Sequence, residues 1–186
     1  MSDTPQEQTV IQAIQRWISD VVVALNLCPF AAPVVNSGRI AYRVSPETDI
    51  EGIYRDLLLA LDEFQRQESD QVATGFLILS QGLASFDDYL DFLEMADDML
   101  VEAGLDGVIQ IAGFHPDYCF SDSDDTDPAN YTNRSPYPMF HLIREDDLEA
   151  AVASHPDPEG IPDRNIRLLR ELGLAEVQQR LRGCFS

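Results

Sequence analysis

Gly75-Phe76-Leu77-Ile78-Leu79 decides the fold of this chain. The run is apolar without alternation, too short for a buried helix, and bounded by Thr74 and Ser80. That is the pattern of a strand covered on both faces. Such a strand needs helices above and below it, and the flanking sequence supplies them. Upstream, Glu47 to Glu68 carries Ile50, Ile53, Tyr54, Leu57, Leu58, Leu61 and Phe64 at helical spacing, so one stripe faces a core. Downstream, Ser85-Phe86-Asp87-Asp88 opens a further helix that runs to Ala103 and stops at Gly104.

Working outward, Arg39 to Val44 alternates, with Ile40, Tyr42 and Val44 on one face, and predicts a second strand. Gly107 to Ala112 and Pro138 to Ile143 predict two more, separated by a polar, Asp-rich loop over 117–135. Thr4 to Leu27 reads as one helix, with Thr4 as N-cap, Pro5 at its first position, and Cys28-Pro29 ending it. Glu145 to Ser154 and Ile161 to Leu172 read as further helices. Strands alternating with helices imply one α/β domain over residues 1–186. The expected form is a sandwich built on a mixed sheet of about four strands with flanking helices. The crossovers around the central helices should be parallel. The long loop leaves the direction of the last strand open.

Twelve basic residues, all Arg, stand against 33 acidic ones, for a formal net charge of −21. With no Lys, neither a pyridoxal-phosphate Schiff base nor a P-loop nucleotide site can form. Nucleic acid and anionic membrane surfaces lack the basic footprint they need. Three Cys, at 28, 119 and 184, form no disulfide framework. Residues Met1 to Glu7 lack the basic start of a signal peptide. These features lead us to expect a cytoplasmic protein. Oligomeric state is not readable.

The chemistry concentrates between Phe114 and Glu145. His115 and Asp117 follow a predicted strand, where ligands settle in open α/β sheets. His115 is a candidate acid/base group, and a His capping a turn before Pro116 is the alternative. His141 lies within an apolar strand and shares a face with Met139 and Ile143, so it is either catalytic or a satisfied core residue. Arg134, framed by Asn133, Ser135, Pro136 and Pro138, is the first candidate for holding an anion, with Arg144 or Arg39 assisting. It could equally pin the loop through Asp122, Asp124, Asp125 or Asp127. Cys28 is a candidate nucleophile, though a helix C-terminus raises a thiol's pKa. Asn133 would orient the ligand. The acidic loop fails the EF-hand template, with Asp127 in place of Gly and Asn133 in place of Glu. A soft-metal set of Cys28, His115, His141 and Asp117 is scattered and lacks close-spaced pairs.

Asn26-Leu27-Cys28-Pro29-Phe30-Ala31, Phe114-His115-Pro116, Asn133-Arg134-Ser135-Pro136-Tyr137-Pro138 and His141-Leu142-Ile143-Arg144-Glu145 together resemble the motifs of the DUF1415 family, a domain of unknown function. Ile161-Pro162-Asp163-Arg164-Asn165 is similar too. The resemblance implies one cytoplasmic domain and marks the polar motif residues for testing; it carries no mechanism. Two functional expectations follow from the residues. One is an enzyme acting on a small anionic metabolite through Arg134, His115 and Cys28, with Ser135 and Arg144 beside the ligand. The other is a metal- or cofactor-binding module, or an assembly factor, without turnover. A third account has the motif residues only knitting the long loop to the core.

Overall fold

In the computed structural model, which describes residues 4–186, four strands form one sheet. They are β1 (Ile40–Ser45), β2 (Thr74–Leu79), β3 (Ile109–Phe114) and β4 (Met139–Arg144). Their order is β1-β2-β4-β3. β1 and β2 run parallel, joined through α3 (Ile50–Arg66), and α4 (Phe86–Glu102) links β2 to β3. The open direction of the last strand resolves as antiparallel: β4 returns from the long loop and inserts between β2 and β3, pairing with both. The α/β single-domain fold and its mixed sheet are therefore as the sequence reads.

The central run is covered on both faces. Leu77, Leu79, Phe140 and Leu142 point toward α3 and α4, against Ile53, Leu57, Phe92 and Met99. Phe76, Ile78 and Met139 point the other way. There they meet α1 (Pro5–Trp17), α6 (Ile161–Leu172) and α7 (Leu174–Gly183) through Ile14, Trp17, Leu169 and Val177. The site lies on this second face.

The first helix departs from expectation. Thr4 caps it with a reciprocal capping box to Glu7, but the α-helix ends at Trp17. A π-helical segment, Ile18–Val23, carries it onward. The wider turn keeps Ile18 and Val21 buried, and π-segments of this kind concentrate at functional sites. Asn26 then takes a left-handed φ of 52° and turns the chain into α2 (Ala31–Ser37). Neither α2 nor α7 is predicted from the sequence; α2 is only seven residues long and has no fully buried residue. Gly38, at φ 68°, ends it in a conformation that glycine adopts without steric cost. The other helices, α5 (Glu145–Ser154) and α6, match their predicted spans closely. Met1 to Asp3, part of the acidic start, lie outside the described residues. No helix among the described residues is long and apolar enough to cross a membrane.

Candidate functional site

Between the second sheet face and the covering elements lies a cavity of about 370 Å³. The strands supply its floor with Thr74, Phe76, Ala112 and His141, and the π-segment and α2 supply its wall with Ile18, Val22 and Val34. Cys28 and Phe30 stand in the turn before α2, while Asp147 and Ala151 of α5 form part of the rim. The lining is overwhelmingly apolar, and among the described residues it includes no Arg.

The polar atoms it does present have a definite polarity. His141 Nε2 lies 2.6 Å from Thr74 Oγ1, and Thr74 Oγ1 is 2.8 Å from the Leu142 carbonyl. A hydroxyl has one hydrogen and a carbonyl can only accept. Both bonds form together only if Thr74 donates to Leu142 and His141 Nε2–H donates to Thr74. The lone pair then sits on Nδ1, which has no partner among the described residues. Burial pushes the imidazole's pKa down to about 4, so the ring is neutral at pH 7. Phe76 stacks on it at 4.3 Å and fixes its plane. Asn133 behaves similarly. Its Nδ2 donates to the Gly113 carbonyl at 3.1 Å, leaving Oδ1 unpartnered. No buried side-chain nitrogen or oxygen among the described residues lacks a partner, so Nδ1 and Oδ1 are both reached from open space. Thr132 donates to the Ala129 carbonyl, and the Trp17 indole N–H donates to the Arg134 carbonyl. Among the described residues, the strong side-chain donors of the lining are therefore engaged, its free acceptors are His141 Nδ1 and Asn133 Oδ1, and the weak Cys28 S–H is the donor left at the edge.

Cys28 is exposed at the cavity's edge. The protein around its sulfur still desolvates it enough to push the thiol's pKa up, against a smaller pull from the Phe30 and Ala31 N–H groups. Its position is held from α6. Buried Asn165 donates through Nδ2 to the Leu27 carbonyl at 2.7 Å, and Arg164 donates to the Asn26 carbonyl. Two stretches that resemble one family's motifs thus meet across 138 residues of chain.

The sequence candidates consequently divide. Cys28, Asn133 and His141 share the cavity. His115 does not: it is 1% exposed, packed against Phe86 and Tyr89, and both ring nitrogens are occupied. Nε2 donates to the Leu83 carbonyl and Nδ1 accepts from the Asp117 N–H. It caps its turn and has no nitrogen left for a substrate. Arg134, expected to hold an anion or an aspartate, instead donates to the carbonyls of Tyr118 and Asp125 and stacks over Tyr131. Arg144 donates to the carbonyls of Phe64, Gln67 and Val72 and lies over the Phe64 ring. Buried Ser135 bonds to the Tyr137 carbonyl, and Arg39 donates to Ser37 and to the Ser69 carbonyl. These residues knit loop, strand and helix ends, because buried carbonyls need donors. The metal set also separates: among the described residues no group of three His, Cys, Asp or Glu is placed to hold an ion. Asp127 of the acidic loop pairs with Arg170 at 2.6 Å, and Asp124 bonds Thr126. Thr74, Asp147 and Asn165 are contributors the sequence reading missed. Only Asn165 left a signal, its place in a quoted motif.

A family model described as a protein of unknown function, DUF1415, matches residues 9–179. The chain belongs to that family. No curated protein and no solved structure matches it.

Proposed function

We propose that this DUF1415 protein is a small-molecule-binding module whose ligand lies in the cavity against His141. The supporting observation is the neutral ring with a free Nδ1 lone pair at the floor of an apolar enclosure. A cavity of about 370 Å³ falls at the small end of the range used by ligand pockets, which are mostly apolar with a few placed polar groups. Binding an anionic metabolite here is disfavoured, since the arginines expected to hold it are engaged with carbonyls. Turnover through Cys28 is the second reading, favoured by its presence on the same cavity as His141. Against it stand a thiol held in its protonated form and an imidazole too weakly basic to take the proton near pH 7.

Trp17 is the chain's single tryptophan, is 2% exposed and lies in the cavity wall. Its emission therefore reports on the cavity directly. Titration with the neutral dye phenylnaphthylamine should quench Trp17 saturably by energy transfer, at one dye per chain. Ala151→Phe, which fills the rim from α5, should weaken binding at least about tenfold by excluding ligand volume. Linear, non-saturating quenching that Ala151→Phe leaves unchanged would refute the proposal.

A further inference from the structure

Resting on the binding proposal, we infer that the cavity is built for a lipophilic ammonium ion, an apolar body carrying one positively charged amine head. Donor–acceptor polarity is the first argument. His141 Nδ1 and Asn133 Oδ1 are unpartnered acceptors. The strong donors nearby, the Trp17 indole and the Thr74 and Thr132 hydroxyls, all bond to protein carbonyls. A carboxylate or phosphate entering this space would find no strong side-chain donor free for its oxygens, which a buried anion needs. An ammonium brings only donors, and the strong side-chain groups left free in the lining are acceptors.

Charge adds to this. Among the described residues, Asp147 is the one carboxylic acid in the lining, and no Arg accompanies it. A carboxylate at the mouth of a low-dielectric enclosure favours a cation, and the chain's net charge of −21 concentrates cations around it. The walls complete the set. Trp17, Phe30 and Phe114 add aromatic rings to the lining, and an ammonium is attracted to a ring face it can reach. Phe76 is excluded from that role, since His141 and Tyr42 cover its two faces.

Three probes with one apolar body separate the possibilities: phenylbutylamine, phenylbutanol and phenylbutyrate, titrated calorimetrically into the full chain at neutral pH. Salt near 0.15 M reduces the Debye length to about 8 Å, so general attraction to an acidic protein is screened. The amine should bind about tenfold more tightly than the alcohol, and the carboxylate more weakly than either. Asp147→Asn should remove the amine's margin over the alcohol. An alcohol that binds as well as the amine, or a carboxylate that binds best, overturns the ammonium assignment and leaves the cavity proposal standing. An amine margin that survives Asp147→Asn overturns the role given to Asp147 and leaves the preference to the acceptors and rings of the lining. Failure of all three to bind, together with failure of the neutral dye, overturns the cavity proposal and this inference with it.

Discussion

Lowering the pH from 7 to 5 should destabilise the protein through His141 alone by an amount that can be isolated. Burial holds its pKa at about 4 in the folded chain, against an ordinary value of 6.5. Between those two values the unfolded chain carries a proton on this ring and the folded chain does not. Stability is therefore intact above about pH 6.5, falls as the pH drops through the window, and levels below about pH 4. Inside the window each pH unit costs up to about 1.4 kcal/mol. Integrating from pH 7 to pH 5 with the pKa of about 4 gives a loss of about 2 kcal/mol. The wild type alone sums every group that takes up protons on acidification, so it cannot isolate the ring. His141→Gln can, because its amide nitrogen is able to donate to Thr74 Oγ1 but does not titrate. Urea unfolding of both proteins at pH 7 and pH 5 yields a difference of differences in which shared titrations cancel. The wild type should lose about 2 kcal/mol more than His141→Gln. Equal losses would show that the folded chain protonates this ring as readily as the unfolded one, and would refute its desolvation at the cavity floor.

Thr74→Val removes the acceptor for His141 Nε2–H at nearly constant volume, and should cost about 1–3 kcal/mol in urea unfolding because a donor is left unmet. Arg134→Ala should lower stability by a similar amount, about 1.5–3 kcal/mol, for its charge-assisted bonds to the Tyr118 and Asp125 carbonyls. Dye affinity should stay unchanged in that variant; a selective loss of affinity with stability intact would return Arg134 to the ligand. Cys28 should react with iodoacetamide more slowly than a free thiol at pH 7 and accelerate as the pH is raised, since its pKa is shifted upward.

The fold was legible where periodicity and burial coincide. The Gly75–Leu79 run faces two cores, so no alternation survives, and the stripes of α3 and α4 follow from the single face each buries. What escaped was geometry set by packing rather than pattern. The π-segment has the same apolar spacing as the α-helix it continues, and α2, at seven residues, is too short for its inward Ala31, Val34 and Val35 to establish a period. In the site, residue type alone could not separate His115 from His141. Both are histidines among apolar neighbours, yet one has two backbone partners for its ring and the other has one hydroxyl. Arg134 shows the same limit. A rigid, Pro-framed guanidinium suits an anion or a set of carbonyls equally, and the loop's own Tyr118 and Asp125 carbonyls decide between them.

The frame and the cavity test each other at Asn165. Its Nδ2 is the donor to the buried Leu27 carbonyl, the residue before Cys28 and a member of the cavity wall. If motif residues far apart in sequence serve chiefly to shape this enclosure, loosening that bond must be felt at the cavity. Asn165→Ala leaves the Leu27 carbonyl unpaired, which should cost about 1–3 kcal/mol in global stability. The turn carrying Cys28 and Phe30 would be held by fewer bonds, so alkylation of Cys28 should accelerate and the dye should bind more weakly. Arg134→Ala is the matched control, since it removes a comparable set of hydrogen bonds outside the cavity lining. A stability loss from Asn165→Ala with Cys28 reactivity and dye affinity both at wild-type levels would show that the motif supports the core and not the cavity.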